Sequence, residues 1–283
     1  MKVEILATDS LGVRSMATWV EAGGHKILID PGAALGPKRY GLPPHRKEFE
    51  RLKHLKELIR KKALESDVIV ITHYHHDHYD PEDFEIYRGK VLFIKDPENN
   101  INFNQRKRAR LLIKGIADKA GEINVAEGKE ITLGTARIRF SEALPHGEGK
   151  RLGCVFQVLV EEDFRFLYTS DIQGAPLKEQ LDFILSAKPD VIFMDGPPTY
   201  LGERSFSKEA VDSALNSMKA VVDELRPQFL ILDHHITRSS SYRSDVKDLF
   251  LNECVVTAAE FMGEEERLLE AKRKLLWSHE GSV

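Results

Sequence analysis

The sequence predicts a layered α/β domain, with helices outside two packed sheets. Two blocks of the chain contain short alternating or apolar stretches that are typical of strands, and segments with helical periodicity lie between and after them. The 283 residues, of which 42% are hydrophobic, are enough to bury a large core. No repeat, low-complexity tract or Gly/Ser linker interrupts the chain, so we treat residues 1–283 as one domain.

The first block combines strands with one amphipathic helix. Phe49, Leu52 and Leu55 begin a series of apolar residues at three- and four-residue intervals, which gives the segment 45–64 one apolar face. The stretch 68–71 is apolar throughout, as in a strand that is buried on both faces. The elements predicted in this block are strands over 2–7, 16–21, 26–30, 68–71 and 91–94, and helices over 45–64 and 81–87.

A basic segment separates the two blocks. Seven basic residues and three acids lie between residues 95 and 120, where a helix is predicted to run up to about Ala120. We predict that residues 96–121 form a basic helical insertion within the domain. Such a run is usually a solvated helix face, and a surface for an anionic substrate is the alternative.

The second block begins with antiparallel signals and ends with alternating helices and strands. A hairpin is predicted over 130–140, about Gly134 and Thr135, and 153–160 is expected to pair with 164–170. Thr257 and Glu260 would form the capping box of a final helix. The other elements predicted in this block are helices over 177–187 and 207–225, and strands over 190–194 and 228–232.

Composition excludes several classes of protein. A formal charge of −4 and a pI near 6.3 give no general attraction to nucleic acid or anionic membranes, although a local basic patch is compatible with them. Cys154 and Cys254 lack C-x-x-C spacing, which argues against a disulfide framework or a thiolate zinc site, and we expect both to be buried. The N-terminus lacks a signal-type apolar region and no run approaches the roughly 20 apolar residues of a membrane span, so we predict a cytoplasmic protein.

A cluster of histidines and acids follows the apolar stretch 68–71. His73, His75, Asp77 and His78 form the pattern H-x-H-x-D-H. Imidazoles and carboxylates are ligands of zinc and similar cations, so the pattern predicts a metal site. A histidine-rich surface turn is the alternative, but such a turn would not need a buried strand to aim it. We expect His76 to lie outside the ligand set.

Further ligands are expected at other strand ends, because sites are assembled where strands terminate at one edge of a sheet. The candidates are His146, Asp171 and His234. Considered one at a time, His146 is also explained as a loop histidine, Asp171 as a helix N-cap and His234 as a polar residue at a strand end. His235 would replace His234 if the assignment slipped by one residue.

The order of these residues, H-x-H-x-D-H followed by His, Asp and His, resembles the metallo-β-lactamase superfamily, and in particular a largely archaeal branch in which membership specifies no substrate. The resemblance implies an αββα four-layer sandwich and two divalent metal ions, with zinc favoured over manganese or iron. In that arrangement one ion is held by His73, His75 and His146, the other by Asp77, His78 and His234, and Asp171 bridges the two.

Such a centre predicts hydrolysis, because a hydroxide that bridges two cations is a nucleophile at neutral pH. Asp77 and Asp171 are the expected catalytic carboxylates. Arg14, His235 and Arg238 are candidates for contact with the substrate, since a guanidinium matches phosphate oxygens. We therefore predict a phosphodiesterase acting on RNA, a nucleotide or a small phosphodiester. A lactonase or thioester hydrolase, and a non-catalytic metal- or nucleic-acid-binding protein, are the alternatives.

Two expectations concern the surroundings of the site. Asp67 and Asp233 are candidates for orienting the ligand imidazoles through their outer ring nitrogens. The expected partner is an anionic small molecule or a nucleic acid, and no membrane is expected. The sequence gives no oligomeric state.

Overall fold

Two sheets pack face to face in the computed structural model, which describes residues 1–202 and 206–280. Helices cover the outer faces, so that the layers follow the order αββα. The first sheet has six strands, in spatial order β1 (Lys2–Ile5), β2 (Thr18–Ala22), β3 (His25–Ile29), β4 (Val68–Ile71), β5 (Val91–Ile94) and β6 (Glu122–Val125).

The direction of these strands determines which ends meet. β1, β2 and β3 are antiparallel neighbours, whereas β3, β4, β5 and β6 run parallel. Ile29 of β3 pairs with Val70 of β4. The residues that follow β3 and β4 therefore lie at the same edge of the sheet.

The second sheet is also mixed. Its neighbours β12 to β15 run parallel, and β12, β11, β8 and β7 are antiparallel neighbours. Its seven strands are, in spatial order, β15 (Val255–Val256), β14 (Phe229–Asp233), β13 (Val191–Asp195), β12 (Arg165–Tyr168), β11 (Val158–Glu161), β8 (Ala136–Phe140) and β7 (Glu130–Leu133). A separate two-stranded sheet pairs β9 (Leu144–Pro145) with β10 (Cys154–Val155).

Eight α-helices lie in the described part of the chain. The first of them begins with His45 at its N-cap and Glu48 completing a capping box. The fourth continues as a π-helical turn over Val221–Leu225. The helices are α1 (Arg46–Glu65), α2 (Phe103–Ile116), α3 (Lys178–Ala187), α4 (Lys208–Ala220), α5 (Tyr242–Asp245), α6 (Lys247–Phe250), α7 (Ala258–Phe261) and α8 (Arg273–Glu280).

Successive side chains along the strands of the second sheet point to opposite faces, and each face packs against a different hydrophobic core. In β11, Val158 and Val160 face the core between the sheets, and Leu159 faces the core beneath the outer helices. Phe193 of β13 faces the inner core in the same way, and its neighbour Ile192 faces the outer one. Because both faces are covered, these strands are apolar except at their last residues, Glu161 and Asp195.

Most predicted elements are confirmed, and the differences lie in short elements. The segment 81–87 contains only a 3₁₀ turn at Phe84–Tyr87, and the capping box at Thr257 starts a helix of a single turn. The elements that were not predicted from the sequence are β6, β9, β15, α5, α6 and α8. The strands among them have two to four residues, which show too little alternation, and α5 and α6 have only four residues each. Cys154 is buried as expected, whereas Cys254 is partly exposed. That residues 96–121 form an insertion stays a prediction.

A buried ion pair fastens the C-terminal helix to the start of α1. The Arg273 guanidinium donates to both carboxylate oxygens of Glu48, at 2.8 and 2.7 Å, and both side chains are fully buried. Close by, the Trp277 indole donates to the carbonyl oxygen of Pro43 at 3.1 Å. These contacts hold residues 273–277 against the loop before α1.

In the parts of the chain described, none of the helices combines the length and apolar character needed to cross a membrane.

We expect Arg273→Met to lower the free energy of unfolding by about 3–5 kcal/mol, because it leaves the buried Glu48 carboxylate without its counter-charge. Urea denaturation measures this as a lower midpoint. Lys178→Met is the matched control, since Lys178 pairs with Asp182 at the exposed surface and should leave the midpoint unchanged. Equal midpoints for the two variants would show that the Arg273–Glu48 pair does not stabilise the domain.

Candidate metal centre

Polar side chains from both sheets meet where their strands end. His73, His75, Asp77 and His78 follow β4 of the first sheet, and His146 follows β9. In the second sheet Asp171 follows β12 and His234 follows β14, both at the carboxyl ends of parallel strands. The structure thus brings together the seven side chains that the sequence predicted as ligands.

A first group contains three imidazoles and one carboxylate. One ligand atom from each of His73, His75, His146 and Asp171 lies within 4.8 Å of the others. Nε2 of His146 is 3.1 Å from Oδ2 of Asp171, and Nε2 of His73 is 3.6 Å from the same oxygen. His73, His146 and Asp171 are buried, and His75 is partly exposed.

A second group contains Asp77, His78 and His234, again with ligand atoms within 4.8 Å of one another. Oδ1 of Asp171 lies 3.0 Å from Nε2 of His78 and 3.5 Å from Nε2 of His234. Asp171 therefore presents one oxygen to each group. This is the geometry that a carboxylate bridging two cations requires.

Other carboxylates orient the imidazoles of the second group. Nδ1 of His78 lies 2.8 Å from Asp30, and Nδ1 of His234 lies 2.8 Å from Asp9. In each ring the inner nitrogen, Nε2, is left facing Asp171. A carboxylate on the outer nitrogen fixes the ring and its tautomer, which is the usual environment of a metal-binding histidine.

Asp30 also joins the two sheets beneath the site. It accepts hydrogen bonds from the backbone N–H and the hydroxyl of Thr72, at 2.7 and 2.6 Å, and from the Tyr168 hydroxyl of the second sheet at 2.7 Å. The Thr72 and Ser170 hydroxyls meet across the same interface at 2.6 Å. The carboxylate is fully buried, and both of its oxygens accept hydrogen bonds.

The backbone at the strand ends adopts conformations that are rare for residues with a side chain. Asp30, Ser170 and His234 have φ of 50°, 57° and 64°, in the left-handed region. Gly32 shows how closely the loops approach, since a Cβ there would lie 2.2 Å from the backbone nitrogen of Tyr79. Strain of this kind concentrates where a site must be shaped.

The electrostatics differ between the two groups. Burial lowers the pKa of His73 well below its ordinary value and that of His75 to about 3, which keeps both rings neutral. Although burial opposes charge on His78, Asp171 and Asp30 raise its pKa well above the ordinary value. Burial and Arg238 oppose charge on His234, but Asp171 and Asp9 raise its pKa to about 9. Unless a cation is bound, protons on His78 and His234 balance the carboxylates.

The donor set fits a divalent cation. Within the described chain, Nε2 of His78, Nε2 of His146 and Oδ1 of Asp171 are buried, and although they lie 3.0–3.1 Å from polar atoms of the same cluster, none of these contacts has hydrogen-bond geometry. Buried polar atoms without partners are rare in proteins, and here they converge from several strands. Nitrogen and carboxylate oxygen suit zinc, manganese and iron, so the residues fit the metals expected. Their role as ligands stays a prediction.

The structure distinguishes His234 from His235 as the candidate ligand of the second group. Of the two histidines, His234 is the one grouped with Asp77 and His78, whereas His235 lies beside Asp171 with its Nδ1 2.9 Å from Asp195. Among the residues described, His76 joins none of these groups and is exposed, as expected.

Two expectations about orienting carboxylates were wrong. Asp67 precedes β4, at the end of the strand opposite the site, and accepts from the backbone of Lys26. Asp233 accepts from backbone and hydroxyl groups, including the N–H of Ser10 and of Ala258. Asp67 precedes β4 and the ligands follow it, so they lie at opposite ends of the strand, whereas the partners of Asp233 come from other segments of the chain, which sequence periodicity does not give.

The carboxylates that do orient imidazoles are Asp9, Asp30 and Asp195. Asp30 and Asp195 could have been recognised, since each directly ends a predicted strand. Asp9 begins the 3₁₀ turn Asp9–Leu11, and no sequence signal marked it.

Comparison with known proteins identifies the family. A family model described as the Beta-lactamase superfamily domain matches residues 14–234. The chain belongs to the metallo-β-lactamase superfamily. The UPF0282 protein of Sulfurisphaera tokodaii is 43% identical over 290 residues, which cover 99% of this chain and 94% of that one. The UPF0282 protein of Korarchaeum cryptofilum is 40% identical over 285 residues, covering 98% and 94%. The predicted archaeal branch is confirmed.

Solved structures show the same fold at low identity. A possible metal-dependent hydrolase from Veillonella parvula has a TM-score of 0.57 at 14% identity, over 90% of this chain and 94% of that one. The isothiocyanate hydrolase from Delia radicum gut bacteria has a TM-score of 0.56 at 14% identity, over 91% and 96%. The fold is therefore the metallo-β-lactamase sandwich.

We expect Asp30→Asn to weaken metal binding by about 10- to 100-fold, because His78 loses the charged partner of its outer nitrogen. Competition with a chelator measures the affinity, and circular dichroism verifies folding. Asp9→Asn removes the charged partner of His234 instead, and gives a second, independent measurement of the loss in metal affinity. Asp67→Asn is the matched control and should bind metal like the wild type; a comparable loss there would mean that charge alone sets the affinity.

Metal binding should release protons, because a cation must displace those on His78 and His234. Since the pKa of His234 is raised to about 9, its imidazole is mostly protonated at neutral pH, and apparent affinity should rise with pH up to about 9. Zinc titration by calorimetry in two buffers of different protonation enthalpy counts the protons. We expect about one to two per chain at pH 7.5, and about one fewer in His234→Gln. Release that is unchanged in this variant would contradict the assignment.

Proposed function

We propose that the protein is a dinuclear metallohydrolase that cleaves phosphodiesters. The proposal rests on the position of Asp171, whose two carboxylate oxygens face different ligand groups. Oδ2 faces the first group and Oδ1 faces the second. His73, His75 and His146 would hold one ion, and the other ligand set is Asp77, His78 and His234.

Two divalent cations at these positions, most readily zinc, would lower the pKa of a shared water toward neutrality and neutralise developing negative charge. The residues of the chain prepare the site for this role. Asp171 fixes the separation of the two ligand groups, and the neutral rings of His73 and His75 are ready to donate lone pairs. Asp9 and Asp30 hold the remaining rings in place.

Arginines beside the second group favour an anionic substrate. The Arg238 guanidinium, which is 3% exposed, lies 3.7 Å from Asp77 and 3.1 Å from Nε2 of His234. Its Nε donates to Asp9 at 2.9 Å. Arg14 lies within electrostatic range of Arg238 and pairs with Glu270.

A third arginine, Arg39, was not recognised from the sequence. It donates to the carbonyl oxygen of Arg238 at 2.9 Å and covers the ring of Tyr200, with the guanidinium carbon 4.2 Å from the ring centre. With Arg14 and Arg238 it makes three guanidiniums, of which Arg14 pairs with Glu270 and Arg238 with Asp9 and Asp77. Arg39 has no carboxylate partner among the described residues, which favours a phosphate oxygen over a neutral lactone or thioester.

The test is hydrolysis of bis(p-nitrophenyl) phosphate by protein whose metal content has been measured. We expect two ions per chain and metal-dependent release of nitrophenolate. In His73→Ala and Asp171→Ala the rate should fall by more than the roughly 100-fold seen when only the outer partners of metal ligands are changed. His76→Ala is the matched control, since this exposed histidine of the same loop lies outside both groups.

Three results would count against the proposal. Activity on p-nitrophenyl acetate, a lactone or a thioester, without activity on the diester, would overturn the substrate class and leave the metal centre standing. Protein that binds no metal when purified without chelator would overturn the centre. Equal rates in Asp171→Ala and His76→Ala would remove Asp171 from the reaction.

A further inference from the structure

Helix α2 exposes a stripe of basic and apolar side chains. Phe103, Lys107, Arg110, Leu111 and Lys114 recur at intervals of three and four residues, so they lie along one face, and all of them are exposed. Phe103 is 81% exposed, which is unusual for an aromatic ring. We call this stripe the α2 surface. It extends over about 16 Å, at about 1.5 Å per residue.

The charged side chains that line the α2 surface are all basic. A groove of about 300 Å³ runs along it, lined by the five side chains of the stripe and Arg106, which gives four cations and no acid. Glu98 pairs with Arg106 and Arg110 from the side. Among the described residues, neither Lys107 nor Lys114 has an ion-pair partner. The unpaired lysines therefore favour a negatively charged ligand at this surface.

The same helix contacts the backbone between two predicted metal ligands. The side-chain oxygen of Gln105 accepts from the N–H of Tyr74 at 3.0 Å, and Arg108 donates to the Tyr74 carbonyl at 3.3 Å. Tyr74 stands between His73 and His75. The first two turns of α2 are thus attached directly to the rim of the metal centre.

The loop that carries His146 is attached to the same turn of α2. The Asn102 amide donates to the carbonyl oxygen of Arg151 at 3.1 Å, and the Gln105 amide donates to that of Leu152. Lys150 and Arg151 are exposed on this loop. Basic side chains therefore continue from the α2 surface to the loop beside the centre.

We infer that the α2 surface binds single-stranded nucleic acid and leads it to the metal centre. This inference rests on the proposed phosphodiester activity and names the substrate class. The length of the stripe matches about five nucleotides of a stacked strand at about 3.4 Å each. The lysines meet phosphates, and the exposed ring of Phe103 offers a face on which a base stacks.

A membrane fits the surface less well. The apolar face of α2, with Ala109, Leu112 and Ile116, is buried against the domain. Two large apolar side chains, Phe103 and Leu111, are left on the outer face, too few for a helix that binds by burying an apolar face in lipid.

The experiment measures binding of a fluorescein-labelled 12-nucleotide single-stranded RNA by anisotropy, in an Asp171→Asn background that suppresses cleavage. Lys107→Gln/Lys114→Gln should weaken binding about tenfold and lower the salt slope by about 1.4, since two phosphate contacts are lost. Phe103→Ala should weaken binding about tenfold through loss of stacking. The matched control is Lys53→Gln/Lys61→Gln, which removes two exposed lysines of α1 and should bind like the background.

With the natural Asp171, all these variants should hydrolyse bis(p-nitrophenyl) phosphate like the wild type. RNA binding that is unchanged in the α2 variants, or equally reduced in the α1 control, overturns the inference. Binding to phosphatidylserine vesicles but not to RNA overturns it in favour of a membrane. Absence of hydrolysis of the small diester disproves the proposed function instead, while the RNA measurement still decides what the α2 surface binds.

Discussion

The structure depends on one buried carboxylate, that of Asp171. A carboxylate removed from water requires counter-charge, and each of its oxygens faces a separate group of imidazoles. Those groups come from both sheets, so the sandwich must close before the charge is compensated. The centre and the fold are therefore parts of one arrangement, and the burial of Asp171 is tolerated because its partners are fixed in place.

The partners are fixed by a second layer of acids. Asp30 and Asp9 occupy the outer nitrogens of His78 and His234, and Asp195 does the same for His235. Asp30 also accepts from Tyr168, which connects the first sheet to the second. The residues that aim the ligands thus also join the layers, which explains why polar contacts lie at the edge of an otherwise apolar interface.

The surroundings of the centre differ from side to side. Arg14, Arg39 and Arg238 lie near the second ligand group, where an anion would be attracted over a short range. On the side of His73 and His75, α2 supports the ligand loop and presents a longer basic surface. The arginines match a short anionic group beside the metal centre. The α2 surface matches an extended polyanion that leads away from it.

The sequence by itself determined the class of fold, the apolar strands and the seven candidate ligands, because strand periodicity and the H-x-H-x-D-H spacing are local properties. It also favoured His234 over His235, and the grouping of His234 with Asp77 and His78 agrees with that choice. The tertiary structure alone decided which acids face which imidazoles, since Asp9 and His234 are 225 positions apart and meet through the packing of two sheets. It also showed that Asp233 accepts from the backbone of Ser10 and Ala258 and not from a ligand imidazole, because the partners of a side chain at a strand end come from segments distant in sequence.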